Sequence, residues 1–422
     1  MTRTRSTVGP RRGAARERGA ALLVVMVTVA VVTVLAVDLA YDTRVSLRIA
    51  ANARDELRAT YLAKSGVALS RLVLSFQQEV DGALPPIPGQ LSPLRLQVWS
   101  IVPVGSGLAA NLFGERAPAP PAAAAPGGER PPGRPPGDGF EARVTDEGTK
   151  VNVQLDSSFM SGLLAAQAQA LWQLVCDPRW DALFDREDAH GLRVSRQELL
   201  IYLKDWVDDD ESGSTLSAAF PPGGCVMLTQ QKVFEQGFTD ENFPYDRGED
   251  RYRAKNARMD SLAELYLVAG VTDAFLAAFG DAVTVYLPRD AKRNVNVIEK
   301  GRLLDLARIV ADPPDQPVLL DPEFATLLQK AVVERTFGGM LSMSPQDFGQ
   351  IVGALGVKVN MSTLAPGSPS NPFTDTSRAF RIQAAGRAGD VAKELDAVVW
   401  LDKPQAGQPV TALGRIVYWR ED

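Results

Sequence analysis

The sequence predicts an α+β protein that opens with one long helix, passes through short strands and then enters a large helical region. Three features carry this: an uncharged run over 20–37, alternating segments near 140–153 and 379–419, and a block over 157–350 rich in Ala, Leu and Gln or in Asp and Glu. Strands set against a large helical block argue for α+β or for an all-α insertion. At 422 residues the chain holds two or three folding units with real cores. Its net charge of -6 opposes a protein whose affinity rests on neutralising phosphates, so no nucleic-acid partner is expected. The single histidine, His190, excludes HExxH zinc sites, Cys₂His₂ fingers and multi-His iron sites.

Residues 1–19 carry six arginines against Glu17, a net of +5 that leaves about -11 for the rest. Ala20 to Val37 then runs without a charge. Eighteen residues at about 1.5 Å each reach about 27 Å, enough to cross a bilayer core. The basic side should stay in the cytoplasm and the remainder be sent outward. Three readings of this start compete. A secretory leader needs small residues at its cleavage site, and Val37-Asp38-Leu39-Ala40 has a charge inside it. A plain signal anchor needs no cleavage. In the third, the basic leader ends in Glu17-Arg18-Gly19 directly before the apolar run at Ala20, which resembles the type III leader of pilins and pseudopilins and implies a cut after the glycine with the apolar helix left in place.

From Asp38 to Gln78 the chain is rich in Ala, Leu and Arg, has no proline and has one glycine, Gly66. It reads as a helix continuing out of the membrane, with Leu57, Tyr61, Val67, Leu69 and Leu72 as the apolar stripe of a stem. Pro85-Pro86-Ile87-Pro88 ends it, and a β-prone piece follows at Leu94–Val104. Residues 116–139 hold eight Pro and five Gly in 24 positions and read as a loop or linker. Phe140 to Val153 alternates around Asp146–Gly148, the pattern of a hairpin. Ala379–Ala384, Leu395–Leu401 and Val410–Trp419 are the closing strands, after a loop at 366–372.

Within the helical block, Asp205-Trp206-Val207-Asp208-Asp209-Asp210-Glu211 puts five carboxylates within about 10 Å of chain, repulsive unless solvent or a cation relieves it. Oxygen ligands without nearby His or Cys suit Ca²⁺ over zinc, and the EF-hand spacing is absent. A solvated acidic helix end is the plainer alternative, and Trp206 is read as a core anchor. Ser261 with Glu264 forms a capping box, Gly270 ends that helix and Thr272 begins another, giving a helix-hairpin-helix. Such a turn can hold DNA phosphate, but almost no basic residue lies near it. Cys176 and Cys225 flank the acidic run. In an oxidising compartment they would close a loop of about 50 residues; two buried free thiols are the alternative. G-x-S-x-G, G-x-x-x-x-G-K-[ST] and G-x-G-x-x-G are absent, His190 reads as a surface helix end, and no enzyme is expected.

Arg18-Gly19-Ala20-Ala21-Leu22-Leu23-Val24-Val25 resembles the start of the K-type minor pseudopilins of type II secretion (general secretion pathway protein K, GspK). These lack the glutamate usual at mature position five, where this chain has Val24. Arg58 to Ala68, Thr145-Asp146-Glu147-Gly148-Thr149-Lys150-Val151-Asn152, Asp205 to Asp210, Gly248-Glu249-Asp250-Arg251-Tyr252, the wording of Ser261 to Thr272, and Asn294-Val295-Asn296-Val297 are similar to further motifs of that family. The resemblance covers most of the chain, apart from 116–139 and much of 305–372. It implies a pilin-like long transmembrane and stem helix packed on a small antiparallel sheet, with an inserted all-α domain of helix-hairpin-helix or SAM-like type.

The implied organisation is a cytoplasmic leader over 1–19, the membrane and stem helix over 20–80, a β region over 81–156, the insertion over 157–356, and strands over 357–422 returning to the sheet. The resemblance also implies calcium as cofactor, with Asp205, Asp208, Asp210, Glu249 and Asp250 as candidate ligands. It implies processing at Gly19 and Ala20 by a prepilin peptidase with methylation of the new terminus. The implied partners are the I and J minor pseudopilins and inner-membrane lipid around residues 20–37. The place is the inner membrane, single-pass, with the C-terminal domain in the periplasm. The role is at the tip of the pseudopilus, capping and assembling with those subunits in secretion across the outer membrane. A minor pilin of a type IV pilus or DNA-uptake system, and a signal-anchored periplasmic helix-hairpin-helix protein, are the alternatives.

Overall fold

The computed structural model describes residues 14–83, 95–113, 137–156, 161–188, 191–220, 225, 227, 232–246, 251–368, 371–401 and 413–422. Pro85–Pro88, most of the Pro-rich 116–139 segment, His190, and Gly248, Glu249 and Asp250 lie outside them. One helix runs without interruption over Ala14–Ala83 and contains Gly19 and Ala20. Its segment Ala21–Asp81 is long and apolar enough to cross a membrane. Every residue from Ala21 to Ala50 is exposed, and the first fully buried one is Ala59.

From there the helix packs on a five-stranded antiparallel sheet. The strand order is Val104–Gly105, Gly139–Asp146, Ala379–Ala388, Val391–Trp400 and Arg415–Glu421. Gly139–Asp146 pairs directly with Ala379–Ala388, from Gly139 opposite Arg387 to Asp146 opposite Phe380. Strands from both sides of the insertion thus share one sheet. Ala63, Val67 and Leu74 of the helix meet Phe380, Ile382, Ala384, Leu395, Ala397 and Val399 of the sheet.

The buried stripe of the stem differs from the expected one. Val67 and Leu69 are inside, but Leu57, Tyr61 and Leu72 are exposed, and Ala59, Ala63, Val67, Ser70 and Leu74 face the sheet instead. The reason is close approach: a Cβ at Gly386 would lie 2.0 Å from the Ala59 carbonyl oxygen and 2.5 Å from the Ala63 nitrogen. Only small side chains fit where helix backbone and sheet come this near.

Two expected strands take other forms. Within 94–104, Val98–Ile101 is a helical turn and only Val104–Gly105 pairs with the sheet. The hairpin expected around Asp146–Gly148 does not form. Glu147–Thr149 is a 3₁₀ turn, and Val151–Asn152 then pairs in parallel with Val283–Thr284, away from the sheet. The Asp146 carboxylate accepts the Gly148 N–H at 2.7 Å, the Ser377 hydroxyl at 2.7 Å and the Asn294 amide at 2.8 Å. Glu147, fully buried, pairs with Lys150 and Arg381, each at 2.8 Å. These charged contacts turn the chain out of the sheet, a choice that alternation alone does not encode.

The insertion has two cores. One is built around Leu155, Leu171, Leu199, Leu203, Leu265 and Phe279. The other surrounds Val295, Leu306, Leu328, Phe348 and Val352 and continues through Val357, Leu364 and Phe373. Helices predominate, but the two-stranded pair Ser212–Leu216 with Phe234–Asp240 and two short parallel pairs are part of the insertion and its junctions. The insertion covers the sheet face opposite the stem. Val398 belongs to its first core, and Tyr286 stacks on Tyr418 with ring centroids 5.1 Å apart.

Burial pushes Asp146 up to about 6 against its three hydrogen bonds. The folded chain therefore holds this proton to higher pH than the unfolded chain does. Its contribution to stability falls as pH rises from about 4 to about 6, by on the order of 2 kcal/mol. Urea unfolding at pH 4 to 7 should show a flatter dependence over that window for Asp146→Asn than for the wild type. Identical slopes would remove Asp146 as the titrating group.

Candidate metal centre

The helix Arg196–Asp205 starts at Ser195, where the hydroxyl accepts the Glu198 N–H and the Glu198 carboxylate accepts the Ser195 N–H. Leu199, Leu200 and Leu203 bury one face of it, and its last residue, Asp205, is 3% exposed. The chain turns at Trp206 and Val207, which are also buried, and Asp208 points inward. Trp206 packs edge-on against Tyr245 at 5.3 Å and Tyr252 at 6.1 Å, anchoring the turn.

The paired strands Ser212–Leu216 and Phe234–Asp240 then bring a distant residue to the same place. Their register shifts between Ser212 and Ser214. Both faces of that irregularity need glycine: a Cβ at Gly213 would sit 2.4 Å from the Thr239 hydroxyl, and one at Gly237 2.5 Å from the Gly213 carbonyl oxygen. Glu241, just beyond Asp240, lands beside Asp205 and Asp208. One oxygen from each of the three lies within 4.8 Å of the others, and all three residues are buried.

The backbone N–H of Ser214 donates to both Asp205 oxygens at 3.1 Å. Lys204 donates from Nζ to Asp208 Oδ2. No protein atom satisfies Asp208 Oδ1 or either Glu241 oxygen. Burial, and then the charges of Asp208, Asp205 and Asp210, push Glu241 up to about 8, with Lys204 opposing. Burial likewise pushes Asp205 up to about 6 and raises Asp208, against the Ser214 and Lys204 contacts respectively.

Unpaired carboxylates inside a protein cost several kcal/mol each, and one lysine cannot neutralise three. A cation bound by oxygens alone would satisfy the three orphaned atoms together. The donor set, without sulfur or imidazole, fits Ca²⁺. Of the residues expected from the sequence, Asp205 and Asp208 are brought together here. Asp210 is exposed and outside the trio, its carboxylate accepting the Ser212 N–H at 2.9 Å. Glu249 and Asp250 lie outside the described residues. Glu241 was missed. Its signal was Thr239-Asp240-Glu241-Asn242, a second acidic step directly after an alternating segment and before the aromatic Phe243 and Tyr245.

The helix-hairpin-helix is shorter than its pattern suggests. Leu262–Leu267 is 3₁₀, Gly270 takes φ +86°, and Thr272 caps Asp273–Phe279. The Gly270 N–H, the kind of group that would hold a phosphate, donates to Asp188 Oδ2 at 2.9 Å. A carboxylate already in that position repels a nucleic-acid backbone.

Cys176 and Cys225 are joined by a disulfide with Cα atoms 5.3 Å apart. Beside it the Gln169 amide clamps the Cys225 carbonyl at 3.0 Å and the Met227 N–H at 2.8 Å. Opening a loop of sequence separation 49 should destabilise the first core by about 2–4 kcal/mol. Urea unfolding with and without reductant measures this, and Cys176→Ser should reproduce the reduced curve.

No family model matches the chain, and no curated protein does. Among solved structures it is similar to a chain of the GspK-GspI-GspJ complex of the enterotoxigenic Escherichia coli type 2 secretion system. Identity is 11% and the TM-score 0.46, covering 88% of this chain and 99% of that chain. A similarity at that identity and score assigns neither family nor function.

Proposed function

We propose that the chain is a membrane-anchored minor pseudopilin of the K type, acting by binding and assembly at the tip of a type II secretion pseudopilus, without catalysis. The observation that carries this reading is the unbroken helix Ala14–Ala83, exposed from Ala21 to Ala50 and apolar up to Val37, and packed on a sheet from Ala59 onward. Such a helix holds a folded domain on a rigid stalk at the membrane. With residues 20–37 in lipid, Ala59 stands about 30 Å beyond the bilayer at 1.5 Å per residue. Leu57, Tyr61, Leu72 and Phe76 stay exposed on the stem, an apolar outer face suited to the helices of neighbouring I and J subunits. The insertion on the far side of the sheet adds bulk that would oppose a further subunit, consistent with a capping position. The trio Asp205, Asp208 and Glu241 would hold a calcium ion, tying the acidic turn to the strand pair and stabilising the first core.

Cleavage by a prepilin peptidase between Gly19 and Ala20 is the processing this reading requires. Intact mass of the protein extracted from its native membrane tests it. A chain starting at N-methylated Ala20 is expected, whereas an uncut chain or one starting near Tyr41 would overturn the pseudopilin reading. A type IV minor pilin would give the same mass and is separated by which subunits co-purify. The DNA-binding alternative is opposed by Asp188 at the Gly270 turn.

A further inference from the structure

The two edges of the main sheet are finished differently. At one edge Val104–Gly105 is two residues long and runs straight into the helix Ser106–Phe113, where the Ser106 hydroxyl accepts the Phe140 N–H at 2.7 Å. A short strand followed by a covering helix leaves little ladder to extend there. The other edge is Arg415–Glu421, seven residues that include Ile416, Val417, Tyr418 and Trp419 and neither Lys nor Pro. Among the described residues no strand lies beyond it.

The register shows which of its backbone groups are open. The Asp422 N–H donates to the Glu394 carbonyl at 3.0 Å, so these two form a hydrogen-bonded pair, and Asp396 with Arg420 and Val398 with Tyr418 repeat it. The alternate positions, Trp419 opposite Ala397 and Glu421 opposite Leu395, therefore turn their N–H and C=O groups outward. The register shift falls between Val398 and Val399, so Tyr418 to Glu421 stays regular. Outward donors and acceptors two residues apart are matched by another extended chain.

The strand is also pinned to the stem. Lys64 pairs with Glu421 at 2.9 Å, and Arg71 holds the Leu413 and Gly414 carbonyls at 2.9 Å each. The Lys64 ammonium lies over the exposed Tyr61 ring, 5.9 Å from its centroid, so the open edge continues the apolar outer face of the stem. Arg415, 4.9 Å from the Trp400 ring, makes no ion pair among the described residues. We propose that Arg415–Glu421 is a docking edge for one extended strand of a neighbouring subunit anchored in the same membrane, hydrogen-bonded at Trp419 and Glu421 and bringing an acidic side chain to Arg415. The source of that strand rests on the pseudopilin reading, whereas the open edge does not.

The test follows hydrogen exchange in the full chain alone in detergent and in the assembly extracted from its native membrane with the same detergent. Segment 415–422 should exchange about tenfold or more slowly in the assembly. Trp419→Pro removes an outward N–H that the sheet does not use, so it should melt close to wild type yet lose both the protection and about nine-tenths of the co-purifying subunit. Trp419→Val, which keeps the N–H, should retain both. An assembly in which 415–422 exchanges as in the lone chain would overturn the docking edge and leave the pseudopilin reading standing. Protection in the extracted material with no pseudopilin subunit attached would support the edge and overturn that reading, and neither protection nor attached subunit would overturn both. Should Trp419→Pro fail to fold, the wild-type exchange decides by itself.

Discussion

Gly386→Val is expected to destabilise the folded domain by about 4 kcal/mol or more, at the severe end of single substitutions. The Cβ alone would lie 2.0 Å from the Ala59 carbonyl oxygen and 2.5 Å from the Ala63 nitrogen. Both are backbone atoms of a helix that also packs through Val67, Leu69 and Leu74. Side-chain rotation cannot relieve such a contact, so helix and sheet must separate and expose the core between them. Chemical denaturation of the full chain in detergent measures the loss, and a midpoint within error of wild type would disprove the close approach. Gly353→Ala is the matched control. It lies in the helix Pro345–Ala354 with nothing within 4 Å of its added Cβ, and it should stabilise by about 0.5–1 kcal/mol.

Glu241→Gln is expected to weaken calcium binding by about 100-fold or more, since it removes one of the three charges that set the affinity. The same change should make the metal-free chain more stable at neutral pH, because a buried carboxylate with both oxygens unpaired is replaced by a neutral amide. Lys204→Met should act in the opposite sense. Without the internal cation on Asp208 the metal-free chain loses stability, and calcium, no longer competing with Nζ, binds more tightly. Titration calorimetry gives the affinities, and melting with and without chelator gives the stabilities. A ligand at about 100 times its Kd adds about 2.7 kcal/mol. If Glu241→Gln binds calcium as wild type does while Asp205→Asn does not, Glu241 is no ligand. If the wild type binds none, the trio is no metal centre.

These two experiments touch features of different legibility. The small residues Ala59, Ala63 and Gly66 stand in plain sight in the sequence, yet the apolar stripe was read through Leu57, Tyr61 and Leu72. Burial there follows from how near the sheet comes, and that distance is set by Gly386, more than 300 residues away. Two of the three acidic residues were legible for a related reason. Asp205 and Asp208 sit three apart on one helix end, a local pattern. Glu241 reaches them only through a strand pair whose glycines, Gly213 and Gly237, permit the irregular register.

By itself the sequence determined whatever depends on near neighbours: the apolar run and its continuation as one helix, the alternating closing strands, the capping box at Ser261 and the acidic turn around Trp206. Propensity, periodicity and capping act over a few residues, and the chain declares them wherever they occur. Only the tertiary structure decided which face of the stem is buried, that Asp146 and Glu147 lead the chain out of the sheet where a hairpin was expected, and that Glu241 completes the trio. Each of those outcomes is set by a partner far along the chain. Long-range pairing is chosen by close packing and by the cost of burying unpaired charge, and neither leaves a period in the sequence.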